Sequence, residues 1–214
     1  MKKTVIFDLD GTLLDSIYDI ALCMNEVLTS LKLDTYKIDE YKYFVGSGMD
    51  VLIDNALKNS IELKDEATKR FKELYEFNLH KNTKPYDGIY ELLDELVKLD
   101  CNLAVLSNKP DFMTKEYVKT LFKDYPFLEV HGQKEQQAKK PDPIQALNIA
   151  SKLKINPSEI FFVGDTKVDM QTAKSANMTA IGVLWGFRDE KELKEHGADF
   201  IVKEPLEIIN IIPK

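Results

Sequence analysis

Short runs of consecutive apolar residues recur along the chain and alternate with longer segments of helical period. Four runs are rich in β-branched and aromatic residues, as are strands buried on both faces of a parallel sheet. They are residues 4–9 (TVIFDL), 102–107 (NLAVLS), 160–165 (IFFVGD) and 179–184 (TAIGVL). A weaker run covers residues 199–202 (DFIV). Each of these runs predicts a buried strand.

The segments between these runs have the apolar spacing of amphipathic helices. One stripe consists of Ile89, Leu92, Leu93, Leu96 and Val97, and another of Ala146, Ile149, Ala150 and Leu153. Strands that alternate with helices form βαβ units. The pattern therefore predicts an α/β fold built on a Rossmann-like parallel sheet.

Residues 16–83 interrupt the alternation, because they contain helical patterning and no convincing strand. One apolar stripe there consists of Ile17, Ile20, Ala21, Met24, Leu28 and Leu31, and residues 63–80 are dense in Lys, Glu and Leu. Pro85 and Gly88 then suit a turn or hinge. We predict an α/β core of residues 1–15 plus 84–214, with a helical domain of residues 16–83 inserted after the first strand.

The composition adds limits on partners and location. Hydrophobic residues make up 44% of the 214 residues and charged residues 30%, as in an ordinary globular protein. The formal net charge of −7 argues against non-specific nucleic-acid binding, which needs a basic surface. With no signal-peptide pattern and no long apolar stretch, we expect a cytoplasmic protein without a membrane partner. Cys23 and Cys101 are expected to be buried, reduced thiols.

Polar side chains follow the predicted strands at their carboxyl ends, where parallel α/β sheets bind ligands. They are Asp8 and Asp10, then Ser107, Asn108 and Lys109, then Asp165 with Asp169 four residues later. Two carboxylates at positions i and i+2 of a strand crowd together and repel unless a cation lies nearby. Clustered carboxylates are the usual ligands of a hard divalent cation, which favours Mg²⁺ over zinc.

The same residue types are those that phosphoryl transfer requires. A carboxylate can attack phosphorus and form an aspartyl phosphate. A second carboxylate can protonate the leaving oxygen and later deprotonate water. The Ser107 hydroxyl, backbone amides and the Lys140 ammonium would stabilise the equatorial phosphoryl oxygens.

Four segments resemble, in order and spacing, the motifs of the haloacid dehalogenase-like superfamily of phosphohydrolases. They are DLDGT (8–12), LSNKP (106–110), KKPDP (139–143) and VGDTKVD (163–169). The resemblance runs from residue 3 to about residue 195. It implies that the inserted helices are a C1-type cap domain. Within the superfamily, FVGSGMDVLI (44–53) and GVLWGF (182–187) look like phosphoglycolate phosphatases, which implies a small phosphorylated metabolite, 2-phosphoglycolate first, as substrate.

The resemblance also implies roles for individual residues. Asp8 would be the nucleophile and Asp10 the general acid/base. Asp8, the backbone carbonyl of Asp10 and Asp165 would bind Mg²⁺, with Asp169 supporting that site. The phosphoryl group would be held by Thr12, Ser107, Asn108 and Lys140. A dehalogenase lacks the second aspartate of the first motif, so Asp10 argues against dehalogenation.

The remaining candidates have plainer alternatives. Gly46, Ser47 and Gly48 offer backbone N–H groups to an anionic substrate, or form a plain loop between helices. Lys109 either approaches the substrate or lies at the surface. Arg188 is expected to be an exposed residue at a helix start, although it could reach a substrate carboxylate. His131 is expected at the surface in a loop, and Lys139 as a solvated surface charge.

Other functions stay open on the sequence alone. One alternative is a phosphomutase of the β-phosphoglucomutase type. Others are a phosphatase for nucleotides, pyrophosphate or sugar phosphates, and a non-catalytic regulator that binds a phosphorylated ligand. The assembly is expected to be a monomer or a homodimer.

Overall fold

The computed structural model describes residues 2–212. Its strands are β1 (Thr4–Phe7), β2 (Leu14–Asp15), β3 (Lys84–Pro85), β4 (Asn102–Pro110), β5 (Phe127–Gln133), β6 (Ile160–Gly164), β7 (Thr179–Val183) and β8 (Phe200–Val202). Six of them form one parallel sheet in the order β5-β4-β1-β6-β7-β8. A short antiparallel ladder joins β2 to β3. The α/β fold with a parallel sheet is confirmed.

The helices fall into two groups along the chain. They are α1 (Ile17–Ser30), α2 (Met49–Leu57), α3 (Lys64–Phe77), α4 (Ile89–Lys98), α5 (Asp111–Leu121), α6 (Ile144–Leu153), α7 (Lys167–Ser175) and α8 (Glu190–Glu195). Short 3-10 turns cover Ile38–Tyr43, Ile61–Leu63, Pro157–Glu159 and Pro205–Asn210. Helices α4 to α8 alternate with the strands of the large sheet, whereas α1 to α3 follow one another between β2 and β3.

The central strand β1 is buried on both faces of the sheet. Val5 and Phe7 belong to the apolar cluster that includes Leu92 of α4, whereas Ile6 belongs to the cluster on the other face with Ile149 of α6. This division follows from the two-residue period of a strand. Burial on both faces explains why the strand reads as an uninterrupted apolar run rather than an alternating one.

The helical segment, residues 16–83, has an apolar cluster of its own. All but two of its buried members lie between Ile17 and Tyr75, and the exceptions are Met113 and Phe187. The predicted stripe of α1 is confirmed, because its members from Ile17 to Leu28 are buried. A separate core is what an inserted domain requires. The exact domain boundaries stay a prediction.

Two details differ from the sequence expectations, and a third agrees with them. The loop predicted around His131 is wrong, because residues 127–133 form the edge strand β5, in which His131 pairs with Glu129. Val97 is 41% exposed, because it lies at the margin of the α4 stripe near the helix end. Cys23 and Cys101 are buried free thiols, as predicted. Among residues 2–212, no helix is both long and apolar enough to cross a bilayer.

Candidate active site

The predicted site residues meet at the carboxyl edge of the large sheet. Asp8 directly follows β1, and Asp165 directly follows β6, the neighbour of β1 in the sheet. Ser107 lies in the last part of β4, which flanks β1 on its other side. Lys140 reaches the same edge from the loop before α6. The parallel register therefore places residues that are distant in sequence side by side.

Three carboxylates and one ammonium form the buried centre of this edge. Asp8, Asp165 and Asp169 each place one carboxylate oxygen within 4.8 Å of the other two. The Lys140 Nζ lies 2.8 Å from Asp8 Oδ1 and 2.6 Å from Asp169 Oδ1. All four side chains are buried. The cluster thus holds more negative than positive charge, away from water.

This charge imbalance shows in the acid–base properties of the cluster. Burial raises the pKa of Asp8 to about 7, with the Lys140 ammonium opposing and the Asp169 carboxylate adding to the shift. Burial also raises the pKa of Asp165 well above its usual range, and the carboxylates of Asp169 and Asp8 add to it. Oxygen ligands that are crowded and lack compensating charge fit a hard divalent cation.

Asp165 is fixed by donors from two distant segments. The Thr12 hydroxyl donates to Asp165 Oδ1 at 3.1 Å, and the backbone N–H of Phe187 donates to Oδ2 at 2.9 Å. Gly11 lies so close that an added Cβ would come within 2.3 Å of Asp165 Oδ2, and its φ of +85° also favours glycine. The Thr12 hydroxyl donates to Asp165 here, and its contact with a phosphoryl group stays a prediction.

Asp10 has a different set of partners from Asp8. The Ser16 hydroxyl donates to Asp10 Oδ1 at 2.6 Å. The Lys109 ammonium donates to both carboxylate oxygens, at 3.1 Å to Oδ1 and 3.0 Å to Oδ2. The Asp10 side chain therefore lies outside the three-carboxylate cluster. Two carboxylates that are two positions apart in the chain thus have separate counter-ions, Lys140 for Asp8 and Lys109 for Asp10.

Asp169 uses both of its oxygens within the protein. Its Oδ1 accepts from Lys140 Nζ at 2.6 Å, and its Oδ2 accepts from the backbone N–H of Thr166 at 3.0 Å and the Thr166 hydroxyl at 2.7 Å. Together with the Thr166 side chain, Asp169 forms a capping box at the start of α7. These contacts hold the carboxylate that positions Lys140.

Asn108 connects two parts of the protein, the helical segment and the loop that contains Lys140. Its amide nitrogen donates to the backbone oxygens of Lys140 at 3.0 Å and Gly46 at 3.1 Å, and its Oδ1 accepts from the Lys140 backbone N–H at 2.9 Å. The neighbouring Ser107 hydroxyl oxygen accepts from the backbone N–H of Lys109 at 3.2 Å. Whether either side chain contacts a phosphoryl group stays a prediction.

A cavity of about 50 Å³ opens between the carboxylates and the helical segment. Asp8, Asp10 and Ser107 line it from the sheet side. The facing wall is mostly apolar and includes Ile20, Met49, Leu52, Phe71 and Tyr75, with the backbone of Gly46 and Gly48 beside them. Ser47 does not line this cavity in the described residues.

Neither Arg188 nor Lys109 is a surface residue. The sequence favours an exposed Arg188 and leaves a surface position as one alternative for Lys109. The Arg188 guanidinium donates to the backbone oxygens of Lys42 and Val45, and its side chain is only 10% exposed. The expectation of an exposed arginine is therefore wrong, because Arg188 ties the helical segment to the core. Lys109 is 6% exposed and lines the cavity, so the surface alternative for Lys109 is also wrong.

Several contacts at the site are absent from the sequence expectations. Ser16, Tyr75 and Thr166 contact Asp10, Lys109 and Asp169 respectively. The Thr166-to-Asp169 spacing is a recognisable capping box, so that contact had a signal in the sequence. The contact of Tyr75 with Lys109 had no signal in the sequence, because it depends on how α3 lies over the sheet edge.

Comparisons with known proteins agree with this geometry. A model of the haloacid dehalogenase-like hydrolase family matches residues 5–183. The phosphoglycolate phosphatase of Mannheimia succiniciproducens is 31% identical to the chain, with 98% of each chain covered. That of Aquifex aeolicus is also 31% identical, with 98% of this chain and 96% of the relative covered.

A solved structure extends the similarity to three dimensions. The crystal structure of a predicted phosphoglycolate phosphatase from Haemophilus somnus has a TM-score of 0.90 and 28% identity, and it covers 99% of this chain and 98% of its own. The sheet order, the buried carboxylates and these full-length matches all support the same family. The chain belongs to the haloacid dehalogenase-like hydrolases.

Proposed function

We propose that the protein is a Mg²⁺-dependent phosphatase that hydrolyses 2-phosphoglycolate through an aspartyl-phosphate intermediate. The observation that carries this proposal is the buried cluster of Asp8, Asp165, Asp169 and Lys140, which faces a small cavity beside Asp10. The choice of ester is supported by relatives of similar length that are named phosphoglycolate phosphatases. The family supports the broader class, a phosphoric monoester hydrolase.

Asp8 acts as the nucleophile in this proposal. Its Oδ1 is held by the Lys140 ammonium, which leaves the other carboxylate oxygen for attack on phosphorus. The bond from phosphorus to the ester oxygen breaks as the bond to Asp8 forms, so the phosphoryl group moves to the aspartate. Lys140 also offers positive charge to the equatorial phosphoryl oxygens.

Asp10 acts as the general acid and then as the general base. It gives a proton to the leaving ester oxygen, and in the second half-reaction it takes a proton from the water that attacks the aspartyl phosphate. Ser16 and Lys109 fix the orientation of its carboxylate from two directions. Asp10 and Asp8 both line the cavity, so one bound ester could contact both.

The divalent cation would be held by the carboxylates of Asp8 and Asp165 and the backbone carbonyl of Asp10. When bound, Mg²⁺ would neutralise the clustered carboxylates and withdraw charge from the phosphoryl oxygens. Asp169 would support the site indirectly, because both of its oxygens already accept hydrogen bonds. Thr12 would orient Asp165, in addition to contacting the phosphoryl group as predicted.

The helical segment would serve as the cap of the active site. Its residues form the apolar wall of the cavity, which is small and lies directly over Asp8 and Asp10. A cap of this kind excludes bulk water during attack on phosphorus and opens for product release. The small volume favours a leaving group of a few heavy atoms over a nucleoside or a sugar.

Phosphate release from a panel of esters tests the proposal. The panel contains 2-phosphoglycolate, β-glucose 1-phosphate, a nucleoside monophosphate and pyrophosphate, each with Mg²⁺ and with EDTA. We expect release that requires the metal, with 2-phosphoglycolate preferred, and a loss of at least about 10³-fold in Asp8→Asn. The same change at the exposed Asp39 serves as the control. Unchanged release by Asp8→Asn would reject the mechanism, and preference for another ester would reject the substrate alone.

A further inference from the structure

Lys109 lies at the junction of the general acid/base, the helical segment and the cavity. Its Nζ donates to Asp10 and, at 2.6 Å, to the Tyr75 hydroxyl oxygen of α3. The ammonium also lies over the rings of Tyr75 and Tyr117, at 4.5 Å and 5.1 Å from their centroids. Aromatic rings and a carboxylate thus fix this cation in one place.

The position of the leaving group follows from the two aspartates. Asp8 attacks phosphorus from one side, so the ester oxygen departs on the other side, within reach of the acid Asp10. Lys109 contacts Asp10 and lines the same cavity. The ammonium therefore borders the space that the leaving group must occupy.

No other cation competes for this space among the described residues that line the cavity. Lys140 is engaged with Asp8 and Asp169 in the carboxylate cluster. Arg188 is engaged with backbone oxygens of the helical segment. Because the facing wall is mostly apolar, an anionic leaving group would find its charge partner only in Lys109.

Lys109 also has one N–H group available for a ligand. An ammonium has three N–H groups. Asp10 Oδ1 and Oδ2 lie at nearly equal distances from Nζ, so one N–H can serve both, and a second serves Tyr75. The third can reach into the cavity.

We propose that Lys109 determines substrate specificity by binding a carboxylate of the leaving group that is separated from the ester oxygen by a single carbon. Such a carboxylate lies beside the ester oxygen and so comes within reach of the cation that touches Asp10. Phosphates of α-hydroxy acids have this arrangement, whereas esters of neutral alcohols do not. This inference rests on the proposed phosphatase activity and adds the residue that selects its substrate.

The test compares two esters that differ in the carboxylate. They are 2-phosphoglycolate and ethyl phosphate, in which a methyl group replaces the carboxylate. For each ester, kcat and KM are measured with the wild type, Lys109→Met and Lys109→Arg. We expect Lys109→Met to lower the preference for 2-phosphoglycolate, as the ratio of kcat/KM values, by about 10- to 100-fold, mainly through KM. Lys109→Arg should retain part of the preference, since it keeps the charge.

The two-ester design separates binding of the substrate from support of Asp10. If Lys109 only positions the acid Asp10, Lys109→Met lowers kcat/KM for both esters by the same factor. The ratio of the two kcat/KM values then stays unchanged, which overturns the inference. Lys139→Met removes a neighbouring positive charge that does not line the cavity and should leave the ratio unchanged. An equal fall of the ratio in Lys139→Met would mean a general charge effect, and it would also overturn the inference.

Two further outcomes keep this inference distinct from the proposed function. A wild-type protein that hydrolyses neither ester rejects the proposed function itself. A wild type that hydrolyses both esters equally well leaves the phosphatase activity standing and rejects the role of Lys109.

If Lys109→Met does not fold, Tyr75→Phe tests the inference instead, because the Tyr75 hydroxyl accepts from Lys109 Nζ. Loss of the hydroxyl that holds the ammonium should lower the ratio in the same direction, and an unchanged ratio contradicts the inference.

Discussion

At the scale of single residues, the opposed charges at the sheet edge lead to a prediction about stability. Three buried carboxylates face one lysine, so Asp165→Asn should relieve repulsion between them. The amide oxygen can still accept from the Phe187 N–H, and the amide N–H₂ can donate to the Thr12 hydroxyl oxygen, which accepts as well as donates. We expect the metal-free variant to unfold at a higher temperature than the metal-free wild type. Calorimetric melting curves in EDTA check this ordering.

The same substitution should remove stabilisation by Mg²⁺. A ligand at 100 times its dissociation constant stabilises the folded state by about 2.7 kcal/mol. In a protein of this size that corresponds to an increase in Tm of roughly 5–10 °C for the wild type. Asp165→Asn should lose this increase, and Asp124→Asn, an exposed change far from the site, should keep it. An equal Mg²⁺ shift in wild type and Asp165→Asn would contradict the proposal that Asp165 is a metal ligand.

The residue scale also shows what the sequence could and could not predict about the site. Asp8 and Asp165 are predictable because each directly follows a buried strand, and strand ends meet in a parallel sheet. The pairing of Lys109 with Asp10 is not predictable in this way. It depends on which way a long side chain turns at the end of β4, where the options are a surface position or the cavity. Backbone donors such as the Phe187 N–H carry no sequence signal at all.

At the scale of elements, Asp19 joins the first turn of α1 to the segment that returns to β3. Its Oδ2 accepts from the backbone N–H groups of Asn82 and Thr83, at 2.9 Å and 2.7 Å, and from the Thr83 hydroxyl at 2.7 Å. Its Oδ1 accepts from the Asn82 side chain at 2.7 Å. Burial alone would raise the pKa of Asp19, but these hydrogen bonds outweigh it and hold the pKa below its usual value.

Asp19→Asn should therefore destabilise the fold in a pH-dependent way. At pH 7 we expect a loss of about 2–3 kcal/mol, because charge-assisted hydrogen bonds are lost and an amide N–H₂ faces donors. A carboxyl whose pKa is lower in the folded state stabilises above its unfolded pKa, and this stability is lost as the pH falls through the folded value. The difference between variant and wild type should thus shrink below about pH 4.

Urea unfolding at pH 7 and pH 3 measures this difference. Glu26→Gln, an exposed change on the same helix, should leave the free energy of unfolding nearly unchanged at both pH values. A destabilisation by Asp19→Asn that is the same at pH 7 and pH 3 would mean that packing rather than the charge of Asp19 holds the two segments together.

The element scale explains why one strand of the large sheet, β5, escapes prediction from the sequence. The strands β1 and β6 are buried on both faces and read as continuous apolar runs, which identifies them. The edge strand β5 is half-buried and carries Glu129 and His131 on one face, so its sequence resembles a polar loop. Its place is set by pairing with β4, which is a long-range contact that local periodicity cannot report.

At the scale of the whole molecule, the helical segment meets the core through a few polar contacts around the cavity. Asn108 donates to Gly46, Lys109 donates to Tyr75, and Arg188 donates to the backbone oxygens of Lys42 and Val45. Periodicity predicts that residues 16–83 are mainly helical, but it cannot indicate these contacts. They depend on the orientation of α3 and the 38–45 turn over the sheet edge.

Among these three side chains, Asn108 and Lys109 contact Lys140 and Asp10, whereas the contacts of the Arg188 side chain are with the 38–45 turn, Phe187 and Glu192. Substitution of Arg188 therefore tests the position of the segment. Its guanidinium donates to Lys42 and Val45, lies over the Tyr43 ring, and pairs with Glu192 at 3.3 Å. We expect Arg188→Met to free the 38–45 turn from the core. Hydrogen exchange of the amides in residues 38–45 should then be at least about tenfold faster, while the strands of the large sheet stay protected.

Arg70→Met provides the matched control. The Arg70 guanidinium also donates to a backbone oxygen, that of Ser30, but within the helical segment. Its loss should not change exchange in residues 38–45. If Arg188→Met leaves that exchange unchanged as well, the packing of Met113 and Phe187 into the segment's apolar cluster must hold the two parts together without the arginine. If the helical segment is the cap that we propose, its opening would then be governed by apolar contacts, and substitutions at Met113 rather than Arg188 would change the rate of product release.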